Sequence, residues 1–422
     1  MRIIIPFAIL LLLFSKVTHG QTLVVNVDIQ GNNRTRKAFI EKIIRLKTGM
    51  KLDSSLIEQD IYRLKRLPSV SHAYFQVSRV KEGEAYHVVY GIEENFTCIP
   101  FASVYTTTND EFAYRVGLQE FNALGNNIIL GGFYQKDIFD SYAFHVRAPY
   151  LFGKRLGMAW SYQNLTTQEP VFLDAGIADY RYNNESFEVL GLYQFGLRHN
   201  LEMGITLFTE DYQYLFGSTA PSVPQSLKVD KYSYKLHYSY DAIRYHYQYL
   251  SGFKNAINVQ YVLSANEQQL PEFIIGFNDF TFFKRVGRKG NWANRLRLGL
   301  ASNLKTPFAP FAVDNNLNIR GVGNTVDRGT AAIVFNTEYR HTLLDKDWFV
   351  LQSNIFVDGG SWRNPGGDFS DFGDNQNLRI YPGVGIRLIH KHIFNAIFRI
   401  DYGHGITIDS SMGIVFGIGQ YF

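Results

Sequence analysis

Hydrophobic and polar positions follow two different rules along this chain. Through residues 22–95 the period changes every ten or fifteen residues. "TLVVNVDI" (22–29) alternates Leu23, Val25, Val27 and Ile29, the pattern of a half-buried strand. "GNNRT" turns the chain. "TRKAFIEKIIRLKTG" (35–49) then predicts a helix with Phe39, Ile43 and Leu46 on one face, Thr35 as N-cap, and Lys47 and Gly49 marking its end. A second helix is predicted from "DSSLIE" (53–58), where Ser55 and Glu58 have capping-box spacing. Ile57, Ile61 and Leu64 form its stripe and Pro68 stops it. Strands at 73–80 and 85–93, joined around "KEGE", complete a β-α-α-β-β order in about 70 residues, small for a domain but sufficient.

After Asn95 the period becomes two and stays there, in strands of roughly ten residues separated by turn residues. "YSYKLHYSY" (232–240) puts Tyr232, Tyr234, Leu236, Tyr238 and Tyr240 on one face, and Lys235 and His237 on the other. "GIVFGIGQYF" (413–422) alternates Ile414, Phe416 and Ile418 and ends on Phe422. A water-soluble sandwich has the same period. Three features favour a transmembrane barrel, whose outward residues must be apolar: an N-terminal export signal, the aromatic excess, and the lack of a long polar linker. A closed barrel is also the one sheet that leaves no unpaired edge in lipid. Residues 96–422, 327 in number, allow about sixteen strands at roughly 20 residues per strand and turn. The predicted fold class is mainly β: an antiparallel barrel preceded by a small α/β domain.

Composition sharpens this picture. Aromatics make up 15% of the 422 residues, and the 36 glycines favour strands and tight turns over helices. A net charge of +4 gives no reason to expect nucleic acid as a partner. Cys98 is the sole cysteine, which excludes an internal disulfide and any multi-cysteine metal site. Arg2 followed by "IIIPFAILLLLF" (3–14), with the small residues Thr18 and Gly20 before Gln21, has the layout of a signal peptide. The expected organisation is therefore a signal peptide at 1–20, the small domain at 21–95 and the barrel at 96–422.

Candidate chemistry is sparse. No G-x-S-x-G elbow, P-loop, H-E-x-x-H or Cys/His cluster is present, "HKH" (390–392) is placed in a turn, and no enzyme, cofactor or metal is expected. Attention falls instead on "LNIRGVGN" (317–324) and "NIFVDGGSW" (354–362). If both face the lumen, Arg320 and Asp358 can form a bidentate pair, with Gly321, Gly323 and Gly359 letting the backbone pass close to the wall. From these stretches alone a solvated arginine beside a "DGG" turn is the more usual arrangement, and the pairing stays open. Glu338 and Arg340 share a strand face, and Asp401 in "RIDYG" is expected to pair with Arg399. Nine basic residues on or beside the two helices, Arg34 to Arg66, are read as a solvated face.

Two resemblances add to this. "VDIQGNNRT", "KTG" and "IYRLKRLPSVSHAYF" make residues 22–95 resemble a POTRA domain. "GLQEFNALGNN" (117–127), "RAPYLFGKRLG" (147–157, its "PYLFG" taken as a strand), "IRGVGN", "VFNTEYR", "FVDGGSW", "FRIDYGHGI" (398–406) and "FGIGQYF" make the remainder resemble the BamA/TamA-type outer-membrane assembly superfamily, or bacterial surface antigen family. That resemblance implies that the loop carrying Arg320 folds back into the lumen and is locked by Asp358. It also implies a weak seam between the first and last barrel strands, here carried by Phe416, Ile418, Gly419 and Phe422. It places the protein in the outer membrane with the POTRA domain in the periplasm. Val322 stands where the family has an aromatic, and there is one POTRA domain rather than several, which points to a specialised or accessory member.

The implied function is assembly, insertion or translocation, with unfolded outer-membrane or secreted proteins as clients, periplasmic subunits at the POTRA domain and outer-membrane lipid around the barrel. The alternatives are a dedicated exporter of one partner protein, and a passive pore or scaffold.

Overall fold

The structure is a computed structural model, and it describes residues 23–80, 85–106, 112–173, 176–221, 224–265, 272–304, 310–313, 318–322 and 327–422. The signal peptide and the "KEGE" connection lie outside the described residues.

In the small domain β1 (Leu23–Gln30) pairs in parallel with β3 (Ala85–Glu94), and β3 pairs antiparallel with β2 (Val70–Arg79). Helices α1 (Lys37–Ile43) and α2 (Ser54–Leu64) cover one face. Ile40, Ile43, Ile57, Leu64, Val88 and Tyr90 fill the space between sheet and helices.

Helix α1 is shorter than the periodicity suggests, and the reason is Asp60. This carboxylate is buried and accepts the Arg45 and Leu46 amides at 2.9 and 3.0 Å, together with the Tyr90 hydroxyl at 3.1 Å. Those amides therefore leave the helix, which ends at Ile43. Burial, followed by the charge of Asp60, pushes the Tyr90 hydroxyl well above its ordinary pKa. Helix α2 is capped by Asp53, which accepts the Ser55 and Leu56 amides, rather than by Ser55. Thr35 is not a cap either, because its hydroxyl accepts from Asn122 of the barrel at 3.1 Å.

The C-terminal part is a closed antiparallel ring of sixteen long strands, from Cys98–Thr106 to Met412–Ile418, with a short extra strand at Arg244–His246. Its side chains are inverted relative to a soluble protein. In Ala331–Asp345, Ile333 and Phe335 face outward and are exposed, while Asn336, Glu338 and Arg340 face inward and are fully buried. The same rule leaves Ile274, Leu298, Ile355, Ile386, Ile400, Ile414 and Phe416 exposed on the outer wall. Such an outside is stable only in lipid.

Three turns of the barrel grip the helical face of the small domain. Gly125 gives its carbonyl to the Arg36 amide at 2.9 Å, and Asn127 accepts from the Ser69 amide. Tyr150 packs edge-on against Phe39, and Lys154 donates to the Ile44 carbonyl at 3.2 Å. Asp241 pairs with Arg66, and Tyr247 stacks on His72 with ring centres 5.4 Å apart. The stretch "PYLFG" is thus a turn, not a strand: the flanking strands end at Ala148 and restart at Leu156. Its aromatics serve the domain junction. With the helices facing the barrel, the outer edge of β2 carries no strand partner among the described residues, and Tyr74, Phe75 and Val77 on it are exposed.

Replacing Asp60 with alanine strands the two amides and is expected to cost about 1–3 kcal/mol. Hydrogen–deuterium exchange on the full-length protein checks this: the Arg45 and Leu46 amides should lose protection while the barrel amides keep theirs.

Candidate functional site

The strongest concentration of charge lies inside the barrel, where the connection between Gly290–Ala301 and Ala331–Asp345 turns inward. Arg320 is at its centre and is 0% exposed. Its Nε and Nη2 donate to the two oxygens of Asp358 at 2.8 and 2.9 Å, and its backbone amide donates to the same carboxylate at 3.0 Å. Nη1 donates to Glu338 at 2.6 Å and lies 3.7 Å from Asp401. The guanidinium plane is flanked by rings, 3.6 Å from the centre of Phe356 and 4.5 Å from that of Tyr421.

The network extends along the inward faces of five strands. Glu338 also accepts from Arg340 and, at 2.9 and 2.7 Å, from both Nη atoms of Arg387. Asp401 accepts from Arg399 at 3.0 Å and from Asn354 at 3.1 Å. Arg295 donates to Asn336, which in turn donates to the Asn318 carbonyl at 2.7 Å. Five guanidiniums (295, 320, 340, 387 and 399) surround three carboxylates (338, 358 and 401), and five against three leaves two positive charges. Charges this deeply buried persist only when paired or placed against aromatic faces and carbonyls.

Part of that compensation comes from the end of the chain. The last strand stops at Ile418; Gly419 adopts φ +90°, and the remaining residues turn into the lumen. Gln420 accepts from Arg387 at 2.5 Å, and the Phe422 carbonyl accepts from Arg340 at 3.2 Å. The Tyr421 ring is met by Arg295, Arg320 and Arg399, at 5.5, 4.5 and 4.9 Å. Phe422 packs against a cluster of Ile243, Phe283 and Ala293. Only Phe416 and Ile418 of the expected seam residues therefore lie on the strand's outward face. Gly419 is the bend, and Phe422 is a lumen residue.

Close approach of the backbone is real at Gly321 and not at Gly359. Gly321 has φ +96°, and a Cβ there would meet the backbone of Gly403 at 2.7 Å. A Cβ on Gly403 would meet the Arg320 carbonyl at 2.3 Å. Gly359 has an ordinary 3.5 Å of room, since the strand period turns it away from the loop; Gly360 sits under Ile319 instead. Gly323 lies outside the described residues. Val322 is buried with Ile319, Val334, Trp362 and Tyr381, and its carbonyl accepts from Ser411 at 2.9 Å. Position 322 carries no aromatic ring, and Phe356 and Tyr421 provide the rings around Arg320.

The sequence pattern does not reveal Glu338, Tyr421 and Gly403 as partners of Arg320, or Arg387 as a partner of Glu338. A signal was present: Glu338 and Arg387 are charges on strands that must cross lipid, where an ionisable group marks an inward face.

These features define a class: a small β-α-α-β-β domain docked on a sixteen-strand barrel whose lumen holds an arginine-bearing loop. Residues 23–95 match the POTRA family model, described as "Surface antigen variable number repeat". Over nearly its whole length the chain shares its fold with several solved structures. BamA from Haemophilus ducreyi lacking POTRA domains 1–3 aligns with a TM-score of 0.55 and 15% identity, covering 94% of this chain and 83% of that one. CdiB from Acinetobacter baumannii aligns with a TM-score of 0.61 and 13% identity, over 93% and 73% of the two chains. CdiB from Escherichia coli gives 0.61 and 12%, over 93% and 75%. The chain is a POTRA domain followed by a barrel of the fold seen in BamA and CdiB.

Gly403→Ala should push the Arg320 loop off the wall, whereas Gly359→Ala should leave it in place. Limited trypsin digestion reads this directly, with cleavage after Arg320 appearing in the first variant only. Arg320→Ala leaves Glu338 and Asp358 under-compensated and is expected to cost about 3–5 kcal/mol, measured as a lower thermal midpoint in detergent; adding Asp358→Asn should return part of that loss.

Proposed function

We propose that this protein assembles, inserts or translocates polypeptides at the outer membrane and catalyses no chemical reaction. The POTRA domain, on the periplasmic side, receives an extended client at the open edge of β2. The client then reaches the barrel seam, where the first and last strands close the ring. The single observation carrying this reading is the length of the strand that closes the ring. The closing strand Met412–Ile418 has seven residues, fewer than any other of the sixteen, because the chain bends at Gly419 and its end is held in the lumen. At about 0.5–1.5 kcal/mol net per backbone hydrogen bond, a closing strand this short is held by fewer bonds than the longer strands of the wall and releases more cheaply than they do. An opened edge is a template for incoming strands. No nucleotide is required, since burying client strands in lipid drives the process. The lumen network of Arg320, Glu338 and Asp358 keeps the rest of the wall in one shape while the seam opens.

A second reading is a dedicated exporter of one partner protein. The single POTRA domain, packed tightly on the barrel through Arg66–Asp241 and Phe39–Tyr150, favours it. A passive pore has no use for such an adaptor.

Depletion of the protein followed by quantitative outer-membrane proteomics separates these readings. Under the general reading many barrel proteins fall, wild type restores them, and Arg320→Ala does not. A change confined to one secreted or surface protein points to the exporter. No change at all leaves a scaffold and removes the assembly reading.

A further inference from the structure

On the POTRA-side rim, a cavity of about 600 Å3 opens between the turn at Tyr247 and the ends of the neighbouring hairpins. Arg285, Arg288, Lys289 and Lys391 line it, against one carboxylate, Asp345. That carboxylate is already engaged, by Lys391 at 2.5 Å and by Gln248 at 3.0 Å. Arg285 is held over the Tyr249 ring at 4.4 Å and donates to the Arg288 carbonyl. Among the described residues, Arg285, Arg288 and Lys289 form no ion pair, whereas the lumen arginines 297, 320, 340, 387 and 399 do. Three cations around one cavity with no anion of their own make a site that attracts negative charge.

The position decides what kind of anion. Tyr249 and Thr342, hydrogen-bonded at 3.1 Å, are buried residues of the cavity wall, so the site lies at the mouth of the lumen. Tyr247 lines the same cavity and stacks on His72 of β2. Through that stack the cavity adjoins β2, the POTRA strand whose outer edge is open. A peptide bound at that edge is a nearby source of carboxylates, and a phospholipid headgroup at the outer wall is the competing source of negative charge.

We propose that this cavity binds carboxylate-bearing segments of the polypeptide that the POTRA domain receives. The proposal rests on the transport reading above and names a chemical property of its clients: acidic side chains in the segment that follows the one paired to β2. Arg285, fixed on Tyr249, orients the carboxylate, and Arg288 and Lys289 on the turn supply the field that draws it in. The exposed ring of Tyr247 offers an apolar surface beside the charge.

The test uses the purified full-length protein in neutral detergent and fluorescence anisotropy with a labelled short peptide alternating glutamate and serine. Its counterpart has glutamine in place of glutamate. Wild type is expected to prefer the glutamate peptide, and the preference should weaken with added salt. Arg288→Glu/Lys289→Glu should lower affinity for it by about tenfold, and Arg288→Gln/Lys289→Gln by less; both changes lie on an exposed turn, so the thermal midpoint serves as the folding control. Equal binding of the two peptides, or unchanged affinity in the charge-reversed variant, overturns the proposal. So does binding of short-chain phosphatidylglycerol that Arg288→Glu/Lys289→Glu abolishes while wild type fails to bind the glutamate peptide, which would assign the cavity to a lipid headgroup. Any of these failures leaves the transport reading intact, since that reading is decided by the depletion experiment.

Discussion

Burying a guanidinium in a protein interior is costly unless every donor finds an acceptor, and this barrel is organised around meeting that condition for Arg320. Each of its side-chain donor nitrogens faces a carboxylate on the wall, from Asp358 or Glu338, and the guanidinium lies over the rings of Phe356 and Tyr421. Those partners come from separate strands and from the chain end. A single loop residue thereby fixes the relative positions of wall segments far apart in sequence. Removing it leaves the buried Asp358 carboxylate without its guanidinium, a larger penalty than the loss of one contact.

The same network ties the loop to the seam. Drawing Gln420, Tyr421 and Phe422 into the lumen satisfies Arg387, Arg340 and the rings' cationic neighbours, and it does so by ending the last strand at Ile418. Backbone pairing at the closure is exchanged for side-chain pairing inside. The glycines at 321 and 403 allow this, since their backbones approach more closely than any Cβ would permit. The short seam and the locked loop are therefore two consequences of one packing arrangement.

Much of this was legible in the sequence. Period-two alternation from Asn95 onward defined the barrel, because in lipid an outward polar residue is penalised strand by strand. The helix–strand order of residues 22–95 defined the small domain in the same way. The pair Arg320 and Asp358 stood out as charges beside glycines. What periodicity could not supply were contacts set by three-dimensional closure. Asp60 shortens the first helix from a distance of fifteen residues, and Thr35 binds Asn122 rather than capping. The end of the chain continues the alternation on paper, yet the positive lumen outcompetes the strand ladder for its last residues. Gly359 was marked because it neighbours Asp358, but alternation sends it to the opposite face. Adjacency in sequence is a poor guide to proximity on a strand.

The claim that the loop arginine holds the chain end in the lumen can be tested with one cysteine. Phe422→Cys in a Cys98→Ser background places a thiol at the tail, and the measurement is its rate of labelling by a membrane-impermeant maleimide, with and without Arg320→Ala. A tail held by the network labels slowly when Arg320 is present and rapidly when it is absent, with the barrel still folded. Equal rates in the two backgrounds would mean that the tail is seated independently of Arg320, and the coupling between loop and seam would have to be abandoned.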